Sequence, residues 1–376
     1  MTGHMNARKV ASPAAHSGQL LWVGFEGTKW SRALERLLRD VAPGGVILFG
    51  RNLTADPRQV RALTDAIARA LPIAPFIALD QEGGRVSRLR PIVGATPSCG
   101  ALGARPDATA AVRRHAEATA QALRCLGFNV NFAPVLDLSG PDAANGIGDR
   151  AFADDPRAVT LLAGLYAAAH TRAGVIPVGK HFPGLGGAGG DTHQTLPLVP
   201  RTRTRLLRED LLPYRRLRAS LPMVMIGHAF YPALQGKIEQ PASLASGIVT
   251  TLLRRQVGYR GLVLTDDLEM GAVDQSLDGG AQAMAALRAG ADGLMFCRSE
   301  ERIRQAAAAL RRGADSGEIP AARLRASLRR IQSLKRRCLH GRRRARYAAA
   351  VLAAARQTFA ALDPARAAGF DPTARD

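Results

Sequence analysis

Cysteine and long apolar runs are both scarce in this chain of 376 residues. Its four cysteines, Cys99, Cys125, Cys297 and Cys338, form no C-x-x-C pair and no Cys/His cluster. This spacing excludes a disulfide framework and a structural zinc site as organising features. No segment approaches the roughly 18 apolar residues of a membrane span, and the first residues contain no apolar signal-peptide core. We therefore expect a cytoplasmic protein with reduced thiols.

Acidic and aromatic residues are also few, with 31 Asp and Glu against 52 Lys and Arg, and with 5% aromatics. A net charge of +21 favours an anionic partner in principle. However, the most basic stretch, Arg323 to Arg346, holds eleven Lys or Arg but none of the interleaved aromatic platforms that single-stranded nucleic acid requires. Apolar residues recur there at helical spacing from Leu324 to Leu334. We predict an amphipathic helix with a solvated basic face, and no nucleic-acid partner.

Apolar, β-branched runs alternate with Ala/Leu/Arg-rich stretches along most of the chain, a pattern typical of an α/β protein with a parallel sheet. Strands are predicted at residues 20–25, 44–50, 74–80, 128–138, 175–182, 222–230, 261–267 and 292–297. Helices are predicted at residues 57–71, 108–126, 156–173, 203–218 and 281–289. Eight strands over about 300 residues fit a single (β/α)8 TIM-type barrel with additional C-terminal helices. A doubly wound sheet is the alternative.

We expect one catalytic domain, with a disordered segment at residues 1–18, the barrel at 19–318 and a C-terminal helical extension with a loose end at 319–376. Polar residues mark the ends of the predicted strands. They are Asp80, Asn131, Asp137, Lys180, His181, His228, Asp266 and Asp267. An α/β barrel gathers its active site at that end of its strands. Helix capping could explain the Asp and Asn residues, but not a lysine and two histidines in the same register.

The stretch "GLGGAGG", residues 184–190, contains a G-x-G-x-x-G pattern at Gly184, Gly186 and Gly189. A dinucleotide-binding loop of this kind leads into a helix, whose N-terminus holds the pyrophosphate. Here Pro197 and Pro200 follow and break any helix. We interpret the stretch as a flexible loop and not as a nucleotide site.

Asp191 and His193 follow this loop at a spacing of two residues. In an extended or turning backbone the two side chains can point the same way, so that the carboxylate orients the imidazole for proton transfer. A polar turn in which Asp191 satisfies backbone donors explains the segment equally well. Both interpretations stay open from the segment alone.

Six motifs, "ALDQEGGRVSRLR", "NVNFAPVLDL", "GIGDRAF", "GKHFPGLGGAGGDTHQTLP", "PMVMIGHAFYPAL" and "GLVLTDDLEMGAV", occur in an order and spacing that resemble glycoside hydrolase family three. Within that family the sequence is most similar to the compact bacterial β-N-acetylglucosaminidases of cell-wall recycling. The resemblance covers roughly residues 20–312 and agrees with the barrel.

The resemblance implies that Asp266 is the nucleophile of a covalent glycosyl-enzyme, with Asp267 as the alternative. It also implies that His193 is the general acid/base and that Asp191 orients it. The sugar-binding residues that it implies are Asp80, Arg88, Arg150, Lys180 and His181, whose side chains suit ring hydroxyls. One position departs from the family pattern K-H-F-P-G-H-G, because Leu185 replaces the second histidine.

We therefore expect a retaining exo-β-N-acetylglucosaminidase that removes terminal β-1,4-linked GlcNAc from muropeptides bearing anhydro-N-acetylmuramic acid. The resemblance implies no metal, no cofactor and a small carbohydrate as partner, and we expect no membrane span and a monomer. Three alternatives stay open from the sequence. They are a phosphorolytic enzyme, a β-glucosidase of the same family, and a non-catalytic sugar-binding or sensing relative.

Overall fold

The computed structural model describes residues 13–140, 146–341 and 344–363. Eight parallel strands form a closed barrel, and each of them lies within one of the eight predicted strands. The barrel strands are β1 (Leu21–Val23), β2 (Gly45–Ile47), β3 (Phe76–Leu79), β6 (Val130–Asn131), β7 (Ile176–Phe182), β8 (Met223–Ile226), β9 (Leu262–Asp267) and β10 (Gly293–Phe296). A short antiparallel hairpin of β4 (Gln81–Gly83) and β5 (Val86–Ser87) follows β3.

Around the barrel the strands lie in chain order, β1-β2-β3-β6-β7-β8-β9-β10, and β10 pairs with β1 to close it. Parallel strands need crossover connections, which place helices outside the barrel. The fold is therefore the predicted (β/α)8 barrel. The alternative of a doubly wound sheet is wrong, because closure leaves no edge strand in the barrel.

The segments predicted at 57–71, 108–126, 156–173 and 281–289 agree with observed helices to within two residues. The described ranges contain thirteen α-helices. They are α1 (Arg32–Val41), α2 (Pro57–Ala70), α3 (Arg90–Val93), α4 (Cys99–Gly103), α5 (Ala108–Cys125), α6 (Pro156–Ala173), α7 (Arg203–Arg205), α8 (Leu212–Leu217), α9 (Pro232–Gln235), α10 (Gly279–Ala289), α11 (Glu300–Ser316), α12 (Ala321–Cys338) and α13 (Ala349–Leu362). Residues Leu206–Asp210 and Gly247–Gln256 are π-helical. The predicted helix at 203–218 is therefore interrupted. None of the helices in the described ranges is long and apolar enough to cross a membrane.

Three longer helical segments around the barrel were not predicted, namely α1, α11 and the π-helix Gly247–Gln256. The first two have clear N-caps. The Ser31 side chain accepts a hydrogen bond from the Leu34 backbone N–H, and Ser299 accepts one from that of Arg302. A serine in this position satisfies a donor that the first helical turn leaves free. These caps begin α1 and α11.

The barrel end opposite the predicted site is closed by chain segments outside the barrel. Residues Pro13–Leu20 form a 3-10 helix that contacts α11 and α12, so the ordered chain begins before residue 19, and residues 1–12 lie outside the described residues. Helix α12 ends at Cys338, which corrects the predicted helix at 323–346. Helix α13 packs on α5, and the expected loose end at 364–376 lies outside the described residues. The domain boundaries themselves stay a prediction.

Candidate active site

Lys180, near the end of β7, links two acids of the segment after β3. Its Nζ lies 2.6 Å from Asp80 Oδ1 and 2.6 Å from Glu82 Oε1. Glu82 is also held by Arg150, whose Nε and Nη2 donate to its two carboxylate oxygens at 2.8 and 2.9 Å. This two-pronged contact is the strong geometry of an arginine–carboxylate pair. The structure therefore brings Asp80, Lys180 and Arg150 together, as predicted.

Opposite charges keep this cluster ionised although it is buried. Burial raises the pKa of the Glu82 carboxyl, but Arg150 and Lys180 lower it further, so the net pKa lies well below its usual range. Burial likewise lowers the pKa of Lys180 and Arg150, and nearby carboxylates more than reverse this. The site therefore presents fixed charges at neutral pH.

Glu82 was missed in the sequence analysis, although it lies in the quoted motif "DQEGGR". It is 1% exposed and is the only carboxylate among the described residues that contacts both Lys180 and Arg150. Its place directly after a buried strand was the available signal. Its role became visible only when the residues distant in sequence were brought around it.

His181 is oriented by Asp137, which lies beyond the end of β6. The His181 Nδ1 is 2.7 Å from Asp137 Oδ2, and Arg150 Nη2 is 3.4 Å from His181 Nε2. A guanidinium only donates, so this geometry fits a ring with its hydrogen on Nδ1, donated to Asp137. Asp137 also accepts a hydrogen bond of 2.7 Å from the Leu185 backbone N–H. Asp137 is therefore a positioning residue that the sequence analysis placed at the site without a role.

Asp266 and Asp267, at the end of β9, differ in ionisation although they are neighbours. Burial raises the pKa of Asp266, but His181, His228 and the backbone N–H of Asp267 lower it by more, so that its pKa lies below the usual value. Burial and the Glu269 carboxylate raise the pKa of Asp267 to about 7. Asp266 is therefore the ionised carboxylate of the pair at neutral and mildly acidic pH.

His228, at the end of β8, holds the backbone beside Asp266. It is fully buried, its Nε2 lies 2.9 Å from the Asp267 carbonyl oxygen, and its Nδ1 lies 2.7 Å from Ser243 Oγ. A carbonyl oxygen only accepts, so Nε2 carries the hydrogen and Nδ1 accepts from the serine hydroxyl. Burial lowers the pKa of His228, which favours this neutral form.

Asp191 and His193 form the predicted pair. His193 Nδ1 lies 2.8 Å from Asp191 Oδ1, and the same oxygen accepts the His193 backbone N–H at 2.9 Å. The backbone contact is the one expected of a polar turn, and the ring contact is the one expected of an acid/base pair, so the geometry agrees with both interpretations and does not choose between them. The His193 side chain is 68% exposed, which leaves its Nε2 accessible. Burial raises the pKa of Asp191, but hydrogen bonds from His193 give a net lowering.

The first half of the glycine-rich loop is closely packed, whereas we predicted a flexible loop throughout. Gly184 has a φ of +131°, and its carbonyl accepts a hydrogen bond of 2.9 Å from Tyr231. A methyl group at Gly186 would overlap the Leu138 carbonyl. Leu185 is 4% exposed and packs in an apolar cluster. The glycines at 184 and 186 therefore permit close packing, and high exposure is confined to the stretch after Ala188.

Arg88 follows β5 directly and is half-buried, eight residues after Asp80. Gln81 ties this hairpin together, since its side chain donates to Ser87 Oγ and accepts from the Leu89 N–H, both at 2.9 Å. All eight predicted site residues therefore lie at the same end of the barrel. Within the described ranges, no group of three or more His, Cys, Asp or Glu side chains could hold a metal ion.

A barrel whose strand ends collect ionised carboxylates, buried cations and an exposed Asp/His pair has the features of a sugar-cleaving enzyme, a glycoside hydrolase. Residues 14–334 match the glycosyl hydrolase family 3 N terminal domain. The chain belongs to glycosyl hydrolase family 3, as its motifs indicated.

Several relatives carry more specific names. A beta-hexosaminidase of Alkalilimnicola ehrlichii is 42% identical over 290 residues, which are 75% of this chain and 82% of that protein. A family 3 β-N-acetylglucosaminidase of Paenibacillus sp. str. FPU-7 superposes with a TM-score of 0.84 at 32% identity, over 94% of this chain and 68% of that chain. NagZ of Neisseria gonorrhoeae superposes with a TM-score of 0.73 at 27% identity, over 91% and 97%.

Proposed function

We propose that this glycoside hydrolase is a retaining exo-β-N-acetylglucosaminidase, which removes terminal β-1,4-linked GlcNAc from muropeptides bearing anhydro-N-acetylmuramic acid in cell-wall recycling. The names of its relatives support the sugar, since they are β-hexosaminidases and β-N-acetylglucosaminidases. The motifs of the sequence support the cell-wall substrate. The mechanism rests on the residues at the barrel mouth.

One observation carries the mechanism. The exposed Asp191–His193 pair is joined by backbone hydrogen bonds to the loop that follows Asp266. The N–H of Gly271 donates to the His193 carbonyl at 3.2 Å, and that of Ala272 donates to the Thr192 carbonyl at 3.1 Å. The Asp266 carboxylate and the His193 imidazole therefore lie on two connected loops, which supports their proposed roles in a double displacement.

In the first displacement an Asp266 oxygen attacks the anomeric carbon as the bond to the leaving sugar breaks. His193 Nε2–H donates its proton to the leaving oxygen, and Asp191 stabilises the imidazolium before transfer. In the second displacement water attacks the same carbon. Its proton passes to His193 Nε2, and the ester to Asp266 breaks to restore the carboxylate. Inversion at each step retains the anomeric configuration.

Substrate recognition follows from the fixed charges beside Asp266. Asp80 accepts hydrogen bonds from sugar hydroxyls, and Lys180, Arg150 and Arg88 donate to them. His181, which Asp137 orients, lies beside Arg150 in this cluster. Because Glu82 neutralises part of this positive charge, the cations are held in place before the sugar arrives.

The first test is hydrolysis of p-nitrophenyl β-N-acetylglucosaminide in phosphate-free buffer by wild type, Asp266→Ala and His193→Ala. We expect wild-type turnover that falls by at least about 1,000-fold with Asp266→Ala and by about 100-fold with His193→Ala. Mass spectrometry after reaction with a 5-fluoro-N-acetylglucosaminyl fluoride is expected to locate the trapped sugar on Asp266.

Asp267→Ala is the matched control, and it should not abolish trapping at position 266. A label on any residue other than Asp266 would remove the nucleophile assignment. Turnover that requires added phosphate would indicate phosphorolysis, and preference for the glucoside would indicate a β-glucosidase. GlcNAc binding without turnover would favour a sensing role. Cell-wall specificity is tested separately, by following GlcNAc release from a purified anhydro-muropeptide.

A further inference from the structure

The loop after the nucleophile also determines where the acid/base loop lies. Gly271, which the sequence analysis left without a role, lies five residues beyond Asp266 and contacts the chain immediately after Asp191. A methyl group at Gly271 would lie 2.5 Å from the Gln194 carbonyl oxygen and 2.8 Å from that of His193. Both oxygens belong to the backbone, so room for a methyl group can be made only by displacing the loop or the backbone of residues 193–195.

The neighbouring contacts hold this loop firmly. The Gln275 side-chain amide donates to the carbonyls of Leu268, Met270 and Val273 at 3.2, 2.9 and 2.9 Å. The two N–H groups of this amide are shared among three carbonyls, so one side chain links three backbone positions of the loop. The loop therefore provides a hydrogen-bonded surface against which the Thr192–Gln194 segment packs.

The other side of the acid/base pair also faces a glycine. A methyl group at Gly146 would lie 3.6 Å from the Asp191 carboxyl carbon, which is ordinary van der Waals contact. The tight contact is therefore on the Gly271 side. It lies where the Gly271 and Ala272 N–H groups donate to the acid/base segment.

We propose that Gly271 is a positioning residue for the reaction, because the absence of a side chain there lets the loop of Asp266 dock against the backbone of His193. Docking sets the imidazole relative to the nucleophile. A side chain at position 271 would keep both residues intact but would shift His193 away from the glycosidic oxygen. This inference rests on the proposed function.

The test uses leaving groups of different basicity. A displaced general acid slows departure of a poor leaving group, such as phenol, but has little effect on 2,4-dinitrophenol, which leaves without protonation. For Gly271→Ala we expect kcat/KM to fall by at least about 10-fold on the phenyl β-N-acetylglucosaminide and by less than about 2-fold on the 2,4-dinitrophenyl one. The rate of fluoro-sugar trapping on Asp266 is expected to stay within the same 2-fold range.

Gly247→Ala is the matched control, because Gly247 is also exposed and a methyl group there meets nothing within 4 Å. It should leave both substrates unaffected. His193→Ala is the reference, and it should reproduce the dependence on leaving group more strongly. Melting curves of all three variants show whether they remain folded, and Asp266 trapping reports the nucleophile separately.

Equal losses on both substrates, or no loss on either, for a folded Gly271→Ala would overturn the inference while leaving the proposed function intact. The proposed function itself fails if His193→Ala has no dependence on leaving group or if Asp266 is not trapped. The positioning role of Gly271 then fails with it. The His193→Ala reference distinguishes the two cases, because it keeps its dependence on leaving group when only the inference about Gly271 is wrong.

Discussion

Glu82 and Asp267 differ in charge because their neighbours differ. Glu82 is almost completely buried, and it stays ionised because two cations contact its carboxylate. Asp267 has no such partner among the contacts of the described residues and faces Glu269, so its pKa rises to about 7. Partners thus outweigh burial in setting the charge of a carboxyl at this barrel mouth. The same reasoning favours Asp266 over Asp267 as the proposed nucleophile.

Glu82→Gln keeps the shape of the side chain but removes the charge that balances Lys180 and Arg150. Removing one partner of a buried ion pair leaves an uncompensated charge, so the free energy of unfolding should fall by about 3 kcal/mol. Denaturant unfolding monitored by circular dichroism measures this. Weaker GlcNAc binding should accompany the change.

Glu117→Gln is its control, because Glu117 pairs with Arg172 on the surface and is 45% exposed. An exposed pair of this kind contributes little, so the variant should stay within about 0.5 kcal/mol of wild type. Equal effects of the two substitutions would mean that Glu82 does not hold the cluster together.

At the scale of the element, helix α12 docks through its apolar stripe and through a buried lysine. Lys335 is 6% exposed, its Nζ donates to Gln19 Oε1 at 2.8 Å, and it lies 5.1 Å from the centre of the Phe76 ring. Burial lowers its pKa from 10.5 to about 7. Docking therefore favours the neutral amine, whereas the unfolded chain keeps the proton up to much higher pH.

This difference predicts a dependence of stability on pH. Between pH 7 and 10.5 the unfolded chain binds more protons at Lys335 than the folded chain, so stability from this group rises with pH and is lost as pH falls. Relative to Lys335→Met, the unfolding free energy of wild type should increase from pH 7 to pH 9 by up to about 1.4 kcal/mol per pH unit.

Chemical denaturation of both proteins at pH 7, 8 and 9 checks this. Subtracting one unfolding free energy from the other at each pH removes the contributions of the titratable groups that the two proteins share. Lys237→Met is the control, since Lys237 is exposed and its substitution should leave the pH curve parallel to that of wild type. Parallel curves for Lys335→Met as well would contradict a depressed pKa.

At the scale of the whole molecule, the two ends of the barrel have separate tasks. The proposed chemistry lies at the carboxyl ends of the strands, while α12 and the 3-10 helix Pro13–Leu20 pack together at the other end. Helix α13 lies on the barrel side, against α5, and its Phe359 ring lies 5.3 Å from that of His115. Although α13 also contacts α3, which follows Arg88, neither C-terminal helix supplies a hydrogen-bond partner to Asp191, His193 or Asp266 in the described part of the chain.

Phe359→Ala tests this separation. Phe359 is 1% exposed, so the cavity should lower the free energy of unfolding by about 3–5 kcal/mol. At a temperature where the variant stays folded, kcat/KM on an aryl β-N-acetylglucosaminide should remain near the wild-type value. Leu161→Ala is the control, because Leu161 is 54% exposed and should change stability by less than about 0.5 kcal/mol. A loss of activity in folded Phe359→Ala would place α13 within the catalytic machinery.

Much of the fold, and which residues gather at the candidate site, could be predicted because the relevant signals are local in sequence. Alternation of apolar runs and helical stretches located all eight strands, and polar residues at strand ends marked Asp266, Lys180 and His181. The helix at 323–346 was overextended, because hydrophobic periodicity does not show where packing on the barrel ends.

The amino-acid sequence by itself determined the barrel, the family and the candidate residues, since the side-chain pattern along each strand and the order of the motifs do not depend on distant contacts. Only the tertiary structure decided the charges and the alignment of those residues. Glu82 became part of the site when Lys180 and Arg150 met around it, and Gly271 gained a role when its loop met the backbone of His193. Such effects depend on distances between residues far apart in sequence, which no local pattern records.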